Sequence, residues 1–233
     1  MITLTAGEIA LLIGGELHCD KDLLVSKAPV FDSRLATPGC IFLALKGETV
    51  DGHDFAADAY RAGAMFSLTT HRIDGPCIVV KDVIEAVAIL ATFVRKRLTD
   101  LTVIGITGSQ GKTSTKDLLA HMLRVAGPTV SPAGSFNNDL GLPITLLECD
   151  ERTKFCILEM GARHKGDIAR LCTIAQPNIG VVLTVGTAHL GEFGSVQAIA
   201  ETKSELIQSL SSDGVAVLGS FDPFTPAMAS LHQ

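Results

Sequence analysis

Hydrophobic and polar residues alternate along the second half of the chain in blocks that predict strands separated by helices. Short, strongly apolar runs predict strands at residues 101–107, 155–160, 179–185 and 215–218. Apolar residues at helical spacing predict helices at 113–126, 167–175 and 195–210. This α/β pattern indicates a doubly wound parallel sheet, covered on both faces, that binds ligands at the carboxyl ends of its strands.

The first part of the chain predicts a smaller α/β module. Thr5 and Glu8 form a capping box for a short helix that stops at Gly14-Gly15, and strand-like runs follow at 40–45 and 77–80. Asp82 then precedes a helix with apolar residues at helical spacing. We therefore predict one domain over residues 1–82 and a second over 83–233.

Composition limits the class of protein. The 233 residues are 47% hydrophobic, carry a net charge of −6 and contain no dense lysine or arginine run, which argues against a nucleic-acid surface. The short cluster Arg95-Lys96-Arg97 is interpreted as a solvated helix end. The six cysteines form no CxxC pair, and no signal peptide or membrane-spanning run is present. These features predict a soluble cytoplasmic protein with reduced thiols.

The strongest chemical signal is the segment TGSQGKTS at 107–114, between a predicted strand and a predicted helix. The strict GxxxxGK[ST] pattern fails because Ile106 takes the place of its first glycine. The helix is nevertheless well defined, with apolar residues at 118, 119, 122 and 123 and a Gly127-Pro128 end. This context favours a phosphate-binding loop over a glycine turn before a surface lysine. Its candidate nucleotide-binding residues are Gly108, Ser109, Gly111, Lys112, Thr113 and Ser114.

Three further candidates follow the predicted strands. Glu159 ends an apolar strand, where a core role explains an acid poorly, and His189 lies in the loop after the next strand. Taken alone, His189 fits a structural histidine equally well. Lys203 is the only charge on an apolar helix stripe, and it either extends along its stem to water or points into the site. Together with the phosphate loop, these residues favour a nucleotide site with a divalent cation.

Several segments together resemble the Mur ligases of bacterial cell-wall synthesis, and within them the members that join D-alanyl-D-alanine to UDP-N-acetylmuramoyl-tripeptide. The resemblance covers nearly the whole chain. Its segments are DSRLATPGCIFLALKGETVDGHDF (32–55), TGSQGKTS (107–114), FNNDLGLPITLL (136–147), LEMGARHKGDIA (158–169), AHLGEFGS (188–195) and ETKSEL (201–206).

This resemblance implies an ATP- and Mg²⁺-dependent reaction in which the γ-phosphate passes to the tripeptide carboxylate. The amine of D-alanyl-D-alanine then displaces phosphate from the acyl phosphate. By the same resemblance Lys112 holds the β- and γ-phosphates and Thr113 ligates one Mg²⁺. Glu159 and His189 bind or orient around a second metal. Lys203 matches a lysine that becomes carbamylated and ligates metal, so Lys112, His189 and Lys203 are the expected catalytic residues.

The resemblance also assigns the substrate. The first domain is expected to bind UDP through Ser33, Arg34, Lys46 and Gly47, and the second to bind the muramoyl region through Asn137 and Asn138. Residues 83–233 are expected to form the front part of the ATPase domain.

Two features depart from the family. Near the position of Thr184, family members often carry an asparagine that this chain lacks. The segment 219–233 does not resemble the continuation expected of the family. Family members are about twice this length and close a C-terminal domain over the substrates, so we expect the chain alone to be catalytically impaired. The alternatives are a non-catalytic module that binds UDP-muramoyl substrate or nucleotide, or another ligase of the Mur or folylpolyglutamate type. The DSR and FNNDLGLP segments oppose the second alternative.

Overall fold

The computed structural model describes residues 1–132, 134–188 and 190–232, and the chain divides into two compact units, Met1–Val94 and Arg95–Gln233. The division falls inside a helix that starts at Val83. The boundary predicted near residue 82 therefore lies at the beginning of that helix.

The first unit is a small α/β module. Its sheet has the strand order β2-β6-β5-β4, in which β2 and β6 are antiparallel and the other pairs are parallel. A two-stranded antiparallel ribbon, β1-β3, accompanies it. Its strands are β1 (Leu4–Thr5), β2 (Glu16–His18), β3 (Leu24–Val25), β4 (Ile41–Leu43), β5 (Phe66–Thr69) and β6 (Cys77–Val79), and its helices are α1 (Ala6–Ile13), α2 (Ala56–Ala62) and α3 (Val83–Arg97), the last of which runs into the second unit.

The predicted capping box is present at the start of α1. The Thr5 hydroxyl accepts a hydrogen bond from the Glu8 N–H (3.1 Å), and the Glu8 carboxylate accepts one from the Thr5 N–H (2.7 Å). Gly14 ends the helix in the left-handed region with a φ of 64°. Both ends of this helix are thus specified by local residues.

The second unit is built on five parallel strands in the order β11-β10-β7-β9-β8. This confirms the predicted α/β fold with a parallel sheet. The strands are β7 (Thr102–Thr107), β8 (Thr129–Val130), β9 (Phe155–Glu159), β10 (Ile179–Val182) and β11 (Val215–Leu218), and the helices are α4 (Lys112–Ala126), α5 (Gly141–Leu147), α6 (Asp167–Ala175), α7 (Leu190–Phe193) and α8 (Val196–Gln208).

Strand β7 lies at the point where the strand order reverses. It pairs with β9 on one side and with β10 on the other, so Ile106 lies opposite both Glu159 and Val181. Because all three strands are parallel, their carboxyl ends meet at one edge of the sheet, where ligands of this architecture bind. Buried Ile104, Ile106 and Ile157 pack with Ala120 of α4 beneath that edge.

The structure corrects the predicted end of one strand. The strand predicted over 179–185 ends at Val182. Leu183 still donates its N–H to Thr107 O (3.0 Å), but at Thr184 the chain turns and its carbonyl accepts the Ser109 N–H (2.9 Å). Residues 183–186 therefore form a loop against the phosphate-binding loop, a contact that strand periodicity does not reveal.

The structure also corrects the interpretation of Arg95 as part of a solvated helix end. Arg95 is buried, and its guanidinium donates hydrogen bonds to Ala175 O, Gln176 O and the side chain of Asn178. The last carbonyls of α6 lack helical partners and carry partial negative charge, which explains why a cation is buried there.

Helix α4 has the predicted bounds within one residue, but its buried face differs from the predicted apolar stripe. Leu118 is 68% exposed and Met122 is 67% exposed, whereas Lys116 is 1% exposed. The Lys116 ammonium reaches Pro132 O (2.6 Å) and the Asp117 carboxylate (2.7 Å), which satisfies the buried charge.

Other features agree with the sequence or add to it. All six cysteines are free, and five of them are buried. In the part of the chain that the structure describes, no helix has the length and apolar character needed to cross a membrane. The short elements α2, α5 and β5 were not predicted, because brief buried runs give no clear period.

We expect Gly63→Ala to destabilise the first unit more than Gly14→Ala. Both glycines end helices with positive φ, 114° at Gly63 and 64° at Gly14. A Cβ at Gly63 would lie 2.7 Å from the backbone nitrogen of Pro38, whereas none of the described atoms approaches one at Gly14. Gly14→Ala should cost about 1 kcal/mol, and Gly63→Ala about 3 kcal/mol or more. Urea unfolding of both variants measures this, and equal losses would contradict the steric argument.

Candidate active site

The phosphate-binding loop joins β7 to α4 at the carboxyl edge of the second sheet. Gly111 adopts a left-handed φ of 83° immediately before α4, which lets the loop turn into the helix. The Lys112 ammonium donates a hydrogen bond back to Gly108 O (2.9 Å). Burial lowers the pKa of Lys112, and the nearby Glu159 carboxylate partly offsets that shift. Thr113 and Ser114 lie in the first turn of α4, beside this lysine.

A cavity of 510 Å³ opens beside this loop. Its wall brings together residues that are far apart in the sequence and that the motifs had singled out. Among them are Gly108, Lys112, Asn137, Asn138 and Lys203. The structure thus places the candidate nucleotide, muramoyl and modified-lysine positions around one space.

Glu159 occupies the end of β9, next to the phosphate-binding loop. The residue has no solvent exposure, and neither of its carboxylate oxygens has a hydrogen-bond partner among the described residues. A buried carboxylate without partners is costly unless a cation or donor satisfies it. Oxygen ligands suit Mg²⁺, so the chemistry of this position fits a divalent cation.

Lys203 projects from α8 onto the cavity wall and is 8% exposed. Removal of the amine from water, together with the positive charge of Lys112, lowers its pKa to about 8. A large fraction of this amine is therefore neutral near pH 8, unlike an ordinary surface lysine.

The two asparagines have distinct positions. The Asn137 carbonyl accepts the Gly161 N–H (2.9 Å), which holds this segment against the residues after β9. The Asn138 side-chain oxygen accepts the N–H groups of Gly141 (2.9 Å) and Leu140 (3.3 Å) at the start of α5. Asn138 therefore has a structural role in addition to its place on the cavity wall.

Not every predicted metal ligand can be located. His189 lies outside the described residues. Within the described ranges, no cluster of three or more histidine, cysteine, aspartate or glutamate side chains could hold a metal. The predicted metal ligands that the structure describes are therefore Glu159 at the end of β9, Thr113 on α4 and Lys203 on α8.

The first unit contains a larger cavity of 960 Å³. All four residues predicted to bind the uridine nucleotide line it, namely Ser33, Arg34, Lys46 and Gly47. The Arg34 guanidinium bonds to Asp32 (2.6 and 2.9 Å), and these hydrogen bonds lower the pKa of Asp32 to about 2.

A short loop shapes one wall of this larger cavity. The backbones of Lys46 and Asp51 pair in an isolated antiparallel β-bridge, and the Gly47 N–H donates to Val50 O (2.9 Å). Asp51 also binds Nδ1 of His53 (2.5 Å), while Nε2 of His53 accepts the Thr70 N–H (3.1 Å). Because Nε2 accepts a hydrogen bond, the ring proton lies on Nδ1 and is donated to Asp51.

Several residues with structural roles in the two units give no signal in the sequence. The pair Asp51 and His53 lies in the DGHDF segment, but no metal or catalytic spacing distinguished it. Glu205, one turn from the ETK motif, accepts the N–H groups of Gly166 (2.7 Å) and Ala169 (3.0 Å) at the start of α6. Asp222 lies in the segment set aside as unlike the family. Only spatial contact reveals the role of each.

Two family models match the chain. One, described as the Mur ligase middle domain, matches residues 106–233, and the other, described as the catalytic domain of the Mur ligase family, matches residues 30–95. The chain belongs to the Mur ligase family. The middle-domain match extends through 219–233, the segment that was not expected to resemble the family.

Individual relatives support the same assignment. A Mycobacterium bovis protein named UDP-N-acetylmuramoyl-tripeptide--D-alanyl-D-alanine ligase is 48% identical over 259 aligned positions, covering 99% of this Mur ligase chain and 51% of the relative. The crystal structure of MurF from Acinetobacter baumannii matches with a TM-score of 0.87 and 36% identity over 99% of this chain and 52% of that one. MurF from Thermotoga maritima, in complex with ADP, matches with a TM-score of 0.75 and 34% identity over 88% and 47%. The chain thus spans about half the length of these relatives.

We expect Lys203 to titrate near pH 8. Lysine labelled with ¹³C at Cε allows each amine to be followed by NMR, and the resonance lost in Lys203→Arg identifies this residue. The neutral form should increase with pH around a midpoint of about 8. Lys112→Met should raise that midpoint, because it removes a neighbouring positive charge. Lys165→Arg, at an exposed position, is the control. A Lys203 midpoint above 10 would contradict the burial of this amine.

Proposed function

We propose that this Mur ligase chain functions in ATP-dependent amide ligation, which joins D-alanyl-D-alanine to UDP-N-acetylmuramoyl-tripeptide in peptidoglycan precursor synthesis. The observation that carries the proposal is the cavity that brings Lys112, Asn137 and Lys203 together beside the buried carboxylate of Glu159. The names of its relatives support the choice of substrates.

In this proposal ATP binds across the phosphate-binding loop. Lys112 leaves Gly108 O and contacts the β- and γ-phosphates, where its charge offsets the negative charge during phosphoryl transfer. The loop N–H groups and the start of α4 face the same oxygens. The ADP complex of the Thermotoga maritima MurF supports the choice of an adenine nucleotide as ligand.

Mg²⁺ is the expected metal, held by Thr113, Glu159, His189 and carbamylated Lys203. When bound, it supplies charge stabilisation for the transferred phosphoryl group. The Glu159 carboxylate, which has no hydrogen-bond partner among the described residues, supports this assignment. The lowered pKa of Lys203 also supports carbamylation, because a neutral amine is the form that reacts with carbon dioxide.

The reaction then requires two transfers. The tripeptide carboxylate attacks the γ-phosphorus of ATP, and ADP leaves as the acyl phosphate forms. The amine of D-alanyl-D-alanine attacks the acyl carbon, and inorganic phosphate leaves as the amide bond forms. Asn137 and Asn138 are proposed to hold the muramoyl region beside the phosphate-binding loop.

The cavity of the first unit is proposed to bind the UDP part of the substrate. Arg34, Lys46 and Lys81 supply positive charge around it, which suits a diphosphate. Phe31 and Phe55 supply apolar wall, which suits a base or sugar face. Residues 1–82 are therefore proposed as the UDP-binding domain and 83–233 as part of the ATP-binding domain.

Separate binding measurements on the two ligands test this division. Calorimetry with MgATP should show binding that Lys112→Ala weakens by about tenfold to a hundredfold, since a charge-assisted hydrogen bond contributes about 1.5–3 kcal/mol. UDP-N-acetylmuramoyl-tripeptide should bind with an affinity that Lys46→Ala weakens by about tenfold. Each substitution should leave the other ligand unaffected.

Controls and turnover complete that test. The exposed lysines Lys165 and Lys21 provide matched alanine variants, which should bind both ligands as the unmodified chain does. Phosphate release is then measured with ATP, Mg²⁺, UDP-tripeptide and D-alanyl-D-alanine, each omitted in turn. Release that requires all four and vanishes in Lys112→Ala demonstrates ligation by this chain. Binding without release fits the non-catalytic alternative, and absence of both bindings refutes the proposal.

We expect Glu159→Gln to weaken the effect of Mg²⁺ on nucleotide binding. The substitution removes an anionic oxygen ligand, so affinity for MgATP should fall by at least about tenfold, the smallest loss typical when even a group that only supports a metal ligand is removed. Affinity for metal-free ATP should stay constant or rise, because a negative charge near the phosphates is removed. Glu151→Gln, at an exposed turn, is the control. An equal loss with and without Mg²⁺ would argue against a metal at Glu159.

A further inference from the structure

Asp222 lies in the turn that follows β11, and its two carboxylate oxygens accept hydrogen bonds from that turn and from the loop after β10. One oxygen accepts the N–H groups of Phe224 (2.9 Å) and Thr225 (2.8 Å) within its own turn. The other accepts the Val185 N–H (2.9 Å), the Thr184 hydroxyl (3.1 Å) and the Thr225 hydroxyl (2.7 Å). Asp222 therefore joins its turn to the loop after β10.

The strength of this link follows from its charge. Burial alone would raise the pKa of Asp222, but the hydrogen bonds from Val185 and Thr225 outweigh burial and hold the pKa at about 2. The carboxylate is therefore ionised throughout the physiological range. Hydrogen bonds to an ionised acceptor are about twice as strong as neutral ones.

Residues 183–186, which Asp222 contacts, also contact the phosphate-binding loop. Thr184 O accepts the Ser109 N–H (2.9 Å), and the Ser109 hydroxyl accepts the Gly186 N–H (2.8 Å). Leu183 packs closely on Gly108, where an added Cβ would lie 3.0 Å from the Leu183 Cβ. Residues 183–186 thus contact the phosphate-binding loop through two hydrogen bonds and one packed side chain.

From this chain of contacts we infer that Asp222 is a positioning residue for the phosphate-binding loop, acting through residues 184–186 on Ser109. The inference rests on the proposed nucleotide binding. Asp222 does not itself line the candidate nucleotide cavity, so its effect is on the geometry of the loop.

The physical basis is preorganisation. A phosphate-binding loop binds well when its N–H groups already point at the phosphate position, because less conformational freedom is then lost on binding. Without the Asp222 carboxylate, Val185 N–H and Thr184 Oγ1 lose their acceptor. The 184–186 segment then gains freedom, and Ser109 loses a fixed partner.

The substitution Asp222→Asn tests this directly. Asparagine has one acceptor oxygen and one NH₂ group, so it cannot accept hydrogen bonds both from its own turn and from residues 184 and 185. We expect amide hydrogen exchange at Ser109 and Gly186, followed by NMR without ligand, to accelerate by at least about tenfold, because their hydrogen bonds open more often. We also expect MgATP affinity to fall by about tenfold, which is the loss expected from one charge-assisted hydrogen bond.

A double-mutant cycle separates positioning from a general loss of stability. Ser109→Ala removes the acceptor for the Gly186 N–H and should weaken MgATP binding by itself. If Asp222 acts through Ser109, the double variant should bind no more weakly than the weaker of the two single variants. Thr184→Val removes only the hydroxyl contact and provides a milder variant should Asp222→Asn fold poorly. Asp213→Asn, at an exposed position, is the matched control.

The outcomes separate this inference from the proposed function. Unchanged exchange at Ser109 and Gly186 in Asp222→Asn overturns the inference, whether or not nucleotide binds. Additive losses in the cycle also overturn it, because Asp222 would then act by another route. Failure of the unmodified chain to bind MgATP counts against the proposed function alone, since the exchange measurement still tests the inference.

Discussion

The parallel pairing of β7 with β9 on one side and β10 on the other is the constraint on which the candidate active site depends. It brings three strand ends to one edge, where the phosphate-binding loop, Glu159 and the 183–186 loop meet. These parts are separated by about twenty-five to seventy-five residues of sequence, and parallel strands need such long crossover connections. A shift of one residue in either pairing would turn Glu159 or Thr107 to the opposite face of the sheet.

The electrostatics of this edge suit a polyphosphate and a cation together. Lys112 and Lys203 both face the cavity, and each has a pKa lowered by burial. Buried cations near one another are unfavourable by themselves, and so is the buried Glu159 carboxylate, which none of the residues that the structure describes hydrogen-bonds. A bound polyphosphate would offset the repulsion between the two lysines, and its metal ion would offset the cost of the buried carboxylate. The arrangement therefore sacrifices stability in the free chain for binding, as functional sites commonly do.

In the first unit, the cavity wall is instead shaped by a short loop that hydrogen bonds hold in place. The Asp51 carboxylate accepts hydrogen bonds from both the backbone N–H and the ring Nδ1–H of His53. The His53 ring in turn accepts the Thr70 N–H at the end of β5. The loop that carries Lys46 and Gly47 is thus fixed to the sheet. The conformation of this loop depends on hydrogen bonds between specific groups, and not on the period of apolar residues.

The sequence by itself determined the parallel sheet, the bounds of α4, α6 and α8 to within two residues, the candidate phosphate-binding loop and the family, because local period, capping and motif spacing are encoded in neighbouring residues. It also directed attention to Glu159 and Lys203 by placing charges where a core should be apolar. Only the tertiary structure decided that Arg95 is buried, that β10 ends at Val182 and that Asp222 accepts a hydrogen bond from Val185. Each of these is a contact between distant segments, whose partners the local pattern does not specify.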